Sequence, residues 1–228
     1  MLIPALDDYY DPGYLPRPAQ PALAPFFPNC NLAVRRGALE QAGGYDARMT
    51  AGEDADVCRR VAEAGWDMVY RPEAVVLHEP RPTLRALAAQ WWNYGFAGAS
   101  HFQSGRRARL EIYWNLEPWP RIHRFRPLLA VNRAPLAGIV FLTYFPLLLG
   151  LALAAAAAAL AGSRTAAALL GAGCAAGFGW VVVRRTPGAR VRARLAHGAL
   201  VLVLDVACTA GCLAATFRRG KLFLYPGI

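Results

Sequence analysis

Three carboxylates lie close together in the segment that runs from Gly52 to Gly65. Glu53, Asp54 and Asp56 fall within four residues, and the apolar residues that follow them recur at helical spacing. This pattern predicts a helix with all three acids on its first turn. Acids at that place commonly cap the helix or pair with its dipole. A second interpretation is catalytic, because clustered carboxylates raise one another's pKa, which suits one of them to act as a base.

His78 follows a predicted strand over 74–77. A histidine at the end of a strand is commonly a surface group or a hydrogen-bond anchor. The alternative is a metal ligand that points towards the acidic helix. The five cysteines form no C-x-x-C pair, and their odd number fits no closed set of disulfides. We therefore interpret the cysteines as small apolar residues of the interior.

Short elements on either side of the acidic helix must position it. The sequence predicts an apolar strand over 29–36, a short helix over 37–42, strands over 66–70 and 74–77, and a helix over 83–102. Upstream of these elements, residues 1–28 are rich in proline, which predicts an extended segment without regular structure.

The formal net charge of +10 is unevenly distributed along the 228 residues. Residues 1–117 hold 12 arginines and 14 acids, whereas residues 118–228 hold 12 arginines, one lysine and one acid. A basic balance suggests nucleic acid or an anionic surface as the partner. Because the whole excess lies where the apolar runs also lie, we expect a membrane and no nucleic acid.

Three runs of the second half, 134–161, 165–183 and 195–217, are almost free of charge. A helical span needs about 20 apolar residues, so the sequence predicts about three transmembrane helices over 134–228. Nine arginines would lie on one side of the membrane, and three arginines with one lysine on the other. This asymmetry favours a multi-pass protein of the cell (inner) membrane with its soluble part in the cytoplasm. The acid at Asp205 is better explained by a hydroxyl or arginine partner than by an ion path.

Residues 106–133 mix arginines with aromatic side chains. A membrane–water interface selects this combination, since each such side chain has an apolar body and a polar edge. We expect an amphipathic helix or elbow that lies on the cytoplasmic face.

Taken in order, the motifs of the first half resemble the C-terminal half of the catalytic domain of a family-2 glycosyltransferase of GT-A type. The matching strings are N-x-N-L-A-V-R-R at 29–36, G-G-Y-D at 43–46, G-E-D-A-D at 52–56, R-R-V-A-E-A-G-W at 59–66, Y-R-P-E-A-V-V-L-H at 70–78, and an aromatic helix that ends in Tyr94-Gly95. The resemblance implies a partial α/β GT-A-like domain over 29–105, followed by the membrane helices.

The resemblance also implies roles for particular residues. The general base that deprotonates the acceptor hydroxyl in an inverting reaction would be Asp54, with Glu53 and Asp56 beside it. His78 would help to hold a divalent metal, Mg or Mn, on the donor diphosphate. Arg35 and Arg36 either steer the donor phosphates or form a solvated basic pair. The candidate donor- and acceptor-binding residues are Asn31, Arg35, Arg36, Arg60, Gln90 and Trp91.

The sequence departs from the family pattern in two places. No nucleotide-binding half with a D-x-D motif precedes Asn29, so we expect the D-x-D metal ligands to be absent from this chain. The chain is then a fragment, or a subunit that works with a separate nucleotide-binding chain. Residues 90–94 also replace the Q-x-x-R-W motif of processive members, which favours transfer of a single sugar.

These observations predict a membrane-bound inverting glycosyltransferase, hexosyltransferase-like, or its C-terminal fragment. It would move a sugar from a nucleotide-sugar donor to a lipid-linked or cell-envelope glycan acceptor. The alternative is a non-catalytic membrane scaffold or partner subunit, which the missing D-x-D motif supports. A small transporter or channel is a third interpretation, but it leaves the acidic helix unexplained.

Overall fold

The computed structural model describes residues 13–15, 26–77, 79, 81–104, 107–117 and 125–224. A 3-10 turn at Asn29–Asn31 precedes the first helix. The elements of this part of the chain are, in order, β1 (Gly13–Leu15), α1 (Arg36–Gln41), α2 (Glu53–Glu63), β2 (Met68–Tyr70), α3 (Leu84–Ser104), β3 (Leu110–Trp114), β4 (Arg126–Val131), β5 (Gly138–Leu142), α4 (Tyr144–Leu160), α5 (Arg164–Arg185), α6 (Val191–Arg219) and β6 (Leu222–Leu224).

The described strands form two sheets. β1 and β2 make a two-stranded antiparallel sheet, and the other four strands are ordered β4-β3-β5-β6. β3 runs antiparallel to β4 and parallel to β5, and β5 runs parallel to β6. The described chain is therefore a mixed α/β domain with apolar helices.

The main core lies between the four-stranded sheet and helices α3 and α6. The ring of Phe141 on β5 stacks on Tyr113, with centroids 5.4 Å apart, and meets Phe125 edge-on at 5.0 Å. β5 is a central strand, and four of its five residues are buried, as expected where both edges are paired and both faces covered. The rest of this core consists of Trp91, Ala99, Ile139, Leu204, Cys208, Cys212, Ala215 and Phe223.

Two glycines allow α3 and α6 to cross at close range. A Cβ atom built on Gly95 would lie 2.1 Å from the carbonyl oxygen of Cys208, and one built on Gly211 would lie 2.2 Å from that of Trp92. Backbones can approach this closely only where no side chain separates them.

The structure confirms the helices that the sequence predicts around the acidic segment. α2 covers the predicted acidic helix, α1 the short helix, and α3 the helix over 83–102. The strand predicted over 74–77 is wrong, because these residues have no regular structure. The strand predicted over 29–36 is also wrong, since a 3-10 turn and an extended segment occupy it.

The proline-rich segment contains one short strand, which the prediction of no regular structure missed. β1 fits between two prolines because proline is tolerated at the ends and edges of strands. The remaining residues of 1–25 lie outside the described part of the chain.

The first predicted span, 134–161, is wrong as a single helix, because it divides into β5 and α4. A short buried strand and a stretch of apolar helix look alike in composition, and Ile139 and Val140 have the branched side chains that strands favour. The other two runs lie in α5 and α6, which are long and apolar enough to cross a membrane. The described chain thus has two such helices, rather than three, with α4 as a shorter apolar helix.

The helix or elbow predicted over 106–133 is also corrected. β3 and β4 occupy its described residues. In β3, residues 111 and 113 are buried while their neighbours are less so, which is the alternation of a strand with one face on the core. Residues 118–124 lie outside the described part of the chain.

The crossing of α3 and α6 leads to a stability prediction. Gly95→Ala forces a methyl group against the Cys208 carbonyl, so we expect it to lower the free energy of unfolding by about 2 kcal/mol. Gly171→Ala is the matched control, because nothing lies within 4 Å of its built Cβ and alanine favours a helix by about 1 kcal/mol. Thermal unfolding of the two purified variants measures the difference. An equal Tm for both variants would show that the helices do not touch at Gly95.

Candidate functional site

The acidic first turn of α2 begins at a glycine with a left-handed backbone. Gly52 has φ 78°, a conformation that residues with a Cβ rarely adopt, and the helix starts directly after it. Val57 and Val61 bury one face of α2 against Ala38 of α1. This packing fixes the rotation of α2 and hence the direction in which its three acids point.

Asp56 is engaged within its own helix. Its two carboxylate oxygens accept hydrogen bonds from Arg59 and Arg60, each at 2.8 Å, and the side chains of Asp56 and Arg59 are buried. Burial acts to raise the pKa of Asp56, but the two guanidinium groups outweigh it and hold the pKa below the usual value. Arg60 also donates to the carbonyl of Ala42, which ties α2 to the end of α1. Asp56 and Arg60, two of the predicted site residues, are therefore brought together in a structural ion-pair cluster.

Glu53 and Asp54 meet Asn29 instead. The Asn29 side-chain amide donates to Glu53 Oε1 at 2.9 Å, and its backbone N–H donates to Asp54 Oδ2 at 3.3 Å. The Tyr45 hydroxyl donates to Asn29 Oδ1 at 2.9 Å. Asn29 thus connects two of the predicted catalytic acids.

Sequence reasoning did not single out Asn29 or Tyr45 as site residues. Both lie inside quoted motifs, N-x-N for Asn29 and G-G-Y-D for Tyr45. The spacing gave no reason to prefer them to Asn31 or Asp46. Asn29 is identified by a long-range contact in the fold, since 24 residues separate it from Glu53.

The environment of Asp54 raises its pKa. Burial is the main cause, and the negative charge of Glu53 adds to it, while hydrogen bonds from the N–H groups of Ala55 and Asn29 oppose it. The Ala55 bond is 2.8 Å long. A carboxylate that binds a proton more tightly than usual is a stronger base when ionised, so its surroundings suit Asp54 to proton abstraction.

The predicted binding residues at the start of the domain lie beside an apolar pocket. Asn31 and Arg35 line this pocket of about 340 Å³, which α1, α2 and β2 enclose. The Asn31 side chain donates to the carbonyl of Ala74, which holds the segment after β2. Arg36 points to solvent and pairs with Glu40 at 2.7 Å, in agreement with the solvated alternative.

The predicted residues on α3 have two different surroundings. The Gln90 amide donates to the Tyr94 hydroxyl at 2.6 Å. Burial is the main reason that the pKa of Tyr94 is raised, and the charge of Asp54 contributes. The middle of α3 is therefore within electrostatic reach of Asp54. Trp91, by contrast, is buried in the main core, 5.9 Å from the Tyr94 ring.

The resemblance implies a divalent metal, and the described residues do not form a site for one. Among them, no three or more histidine, cysteine, aspartate or glutamate side chains converge. His78, the predicted ligand, lies outside the described residues.

Comparisons with known proteins show the family of the chain. The profile described as glycosyl transferase family group 2 matches residues 22–182. The chain is 35% identical over 96 residues to the pre-mycofactocin glycosyltransferase of Mycobacterium tuberculosis, a match that covers 42% of this chain and 20% of that protein. It is 50% identical over 48 residues to the N-acetylglucosaminyl-diphospho-decaprenol L-rhamnosyltransferase of the same organism, which covers 21% of this chain and 16% of that protein. The chain thus spans about one fifth of the length of these curated relatives. No solved structure matches the chain at a significant level.

The different surroundings of the acids predict opposite effects on stability. Asp56→Asn leaves the buried guanidinium of Arg59 without its buried counter-ion, so we expect a loss of about 3 kcal/mol in the free energy of unfolding at neutral pH. Urea unfolding of the purified protein measures this loss.

Asp54→Asn is the matched control on the same helical turn. The raised pKa of Asp54 means that its ionisation destabilises the folded state as pH rises above the unfolded value of about 3.9. Asparagine removes that cost, so we expect equal or greater stability at neutral pH. A similar loss of stability in both variants would contradict the conclusion that Asp56 stabilises the fold and Asp54 does not.

Proposed function

The chain belongs to glycosyl transferase family group 2, and from this membership we propose that it is the acceptor-side and membrane part of an inverting glycosyltransferase. It transfers a sugar from a nucleotide-sugar donor to a hydroxyl of a lipid-linked or cell-envelope glycan acceptor. One observation carries the proposal. Asp54 is partly buried on the first turn of α2, with a raised pKa and with Glu53 beside it.

In the proposed step, Asp54 accepts the proton of the acceptor hydroxyl. The oxygen of that hydroxyl forms a bond to the anomeric carbon of the donor sugar, and the bond from this carbon to the diphosphate oxygen breaks. The nucleoside diphosphate leaves with the electron pair, and attack from the opposite side inverts the anomeric centre. Glu53 strengthens the base, because its negative charge favours the protonated form of Asp54.

The nature of the acceptor is supported by the relatives and by the apolar helices. One relative is, by its name, an L-rhamnosyltransferase for N-acetylglucosaminyl-diphospho-decaprenol, a lipid-linked sugar. α5 and α6 are apolar enough for a membrane, where such an acceptor resides. The arginine-rich loop between these helices supports a cytoplasmic location for the soluble part.

A further structural unit supplies the donor site in this proposal, either elsewhere in the same protein or in a separate nucleotide-binding chain. The pocket beside α2 has a largely apolar lining that includes Val34, Trp66 and Tyr70. Arg35 lies at the same pocket, where its charge suits a donor phosphate.

Loss of the proposed base should abolish transfer. In the full-length protein in its native membranes, Asp54→Asn is expected to reduce the rate at least about 100-fold, because a general base contributes that much or more. Incorporation of labelled sugar from a panel of nucleotide sugars into membrane lipid measures the rate. Glu73→Gln, a change at an exposed carboxylate away from α2, should keep the wild-type rate.

The same assay tests both the assignment of Asp54 and the choice between an enzyme and a non-catalytic scaffold. Wild-type activity in Asp54→Asn would remove Asp54 as the base. If the unaltered protein transfers no sugar from any donor of the panel, while a relative assayed in parallel does, the non-catalytic scaffold is the better interpretation.

The dependence of the rate on pH tests Glu53 separately. The negative charge of Glu53 raises the pKa of Asp54, so Glu53→Gln should lower that pKa and move the acid limb of kcat/KM to lower pH. The glutamine keeps an oxygen for the Asn29 amide, which leaves the hydrogen bond intact. A limb that stays in place, as expected for Glu73→Gln, would show that Glu53 does not act on the base.

A further inference from the structure

β5 and β6 are neighbours in the sheet although three apolar helices separate them in the chain. β5 immediately precedes α4, and β6 follows α6. The two strands pair in parallel, with Gly138 opposite Leu222 and Ile139 opposite Phe223. The Leu222 N–H also donates to the Ala137 carbonyl at 2.8 Å. Both ends of the apolar region are therefore attached to one sheet.

β6 is held firmly in this position. Phe223 is fully buried in the main core, and its backbone N–H and carbonyl both bond to the Thr216 hydroxyl near the end of α6. A Cβ on Gly138 would overlap the Leu222 carbonyl, so the close pairing depends on glycine. Since a sheet lies on one side of a bilayer, the chain between β5 and β6 must cross the bilayer an even number of times.

α4 and α5 form an antiparallel hairpin that can supply two crossings. The Cys174 thiol on α5 donates to the Leu148 carbonyl at 3.4 Å, and Arg185 at the end of α5 lies 4.9 Å over the Tyr144 ring at the start of α4. Only 11% of the residues in the most apolar 18-residue stretch of α5 are buried. Leu153 and Leu160 on α4 are 63% and 91% exposed. α4 is about 26 Å long at 17 residues, which a slightly thinned bilayer accommodates.

α6 is integrated in the folded domain instead. In the most apolar 18-residue stretch of α6, 39% of the residues are buried. Cys208, Cys212 and Ala215 are fully enclosed in the main core. Asp205 is buried on the same helix and accepts a 2.6 Å hydrogen bond from the Tyr144 hydroxyl. This matches the expectation of a hydroxyl partner for Asp205. One side of α6 packs on α3 and the sheet, and Leu202, Val206 and Leu213 are exposed on the remaining surface, so lipid can contact α6 only there.

The charges favour a lipid bilayer as the occupant of the exposed hairpin surface. Arg184, Arg190 and Arg192 are exposed where α5 ends and α6 begins, and residues 118–204 contain no acid to neutralise them. Clusters of arginine beside apolar helices bind anionic headgroups. At the opposite end, the hairpin tip carries a single charge, Arg164.

We propose that the α4–α5 hairpin spans an anionic bilayer as a two-helix anchor, while α6 and β6 stay with the sheet on the side from which the hairpin enters. This inference rests on the proposed membrane attachment and is independent of the transfer reaction. It replaces the three crossings of the sequence prediction by two and places the segment after α6 beside the catalytic domain.

Cysteine labelling of the full chain in sealed membrane vesicles tests the proposal. Cysteines replace Glu40, Lys221, Arg164 and Leu153 one at a time in a background in which the accessible Cys30 and Cys174 are changed to serine, and labelling is scored above that of this parent chain. An impermeant maleimide is added before or after lysis of the vesicles. We expect Glu40→Cys and Lys221→Cys to label on one side and Arg164→Cys on the other. Leu153→Cys should label only in denaturing detergent, because lipid covers it.

Four results would overturn the proposal. Labelling of Lys221→Cys on the side of Arg164→Cys indicates three crossings, and labelling of all three exposed positions on one side indicates that the hairpin does not cross. Ready labelling of Leu153→Cys means that lipid does not cover the hairpin. Recovery of the chain as a soluble dimer means that a second copy covers it, and this result alone would also remove the membrane attachment from the proposed function.

Discussion

The crossing of α3 with α6 is the contact on which the rest of the structure depends. At Gly95 and Gly211 the two backbones approach until one methyl group would overlap a carbonyl oxygen. α3 belongs to the acidic half of the chain and α6 to the basic, apolar half, so this contact joins regions suited to different surroundings. It also holds α6 against the sheet, which lets β6 return to β5. Dispersion at such short range is effective because many atoms meet on both sides.

α2 shows how one short helix can combine structural and chemical tasks. Asp56 lies one helical turn from the arginines at 59 and 60 and is neutralised by both. Without these partners a buried carboxylate would be costly, and its charge would act on its neighbours. With Asp56 neutralised, the main charge that acts on Asp54 is that of Glu53, while Asn29 holds both. The residue types of a capping turn and of a catalytic turn are the same, and only their partners distinguish them.

The difference between residue types, which are local, and their partners, which depend on the fold, explains how much of the molecule the sequence predicts. α2 and α3 follow from apolar spacing, which is a local property, and so does the position of the three acids on the first turn of α2. The role of Asp54 as the base is implied by the family resemblance and not by that spacing. The contacts of Asn29 with α2 do not follow from the local sequence, because they depend on how the chain returns to that helix. β5 was predicted as part of a span, since burial between two strands and burial in lipid select the same apolar residues. The position of β6 depends on pairing across more than 80 residues, for which the local sequence has no signal.

The uneven charge has a different physical consequence in each half. On α2, the charges of Arg59 and Arg60 are balanced by acids of the same helix. At the junction of α5 and α6, residues 118–204 provide no acid, so neutralisation of Arg184, Arg190 and Arg192 must come from outside that stretch. On the proposed membrane attachment, anionic headgroups supply it. On the proposed function, the same attraction draws a diphosphate-linked lipid to this surface. The arginines then concentrate the acceptor on the side of the bilayer where the sheet and, through α3, the acidic turn of α2 are held.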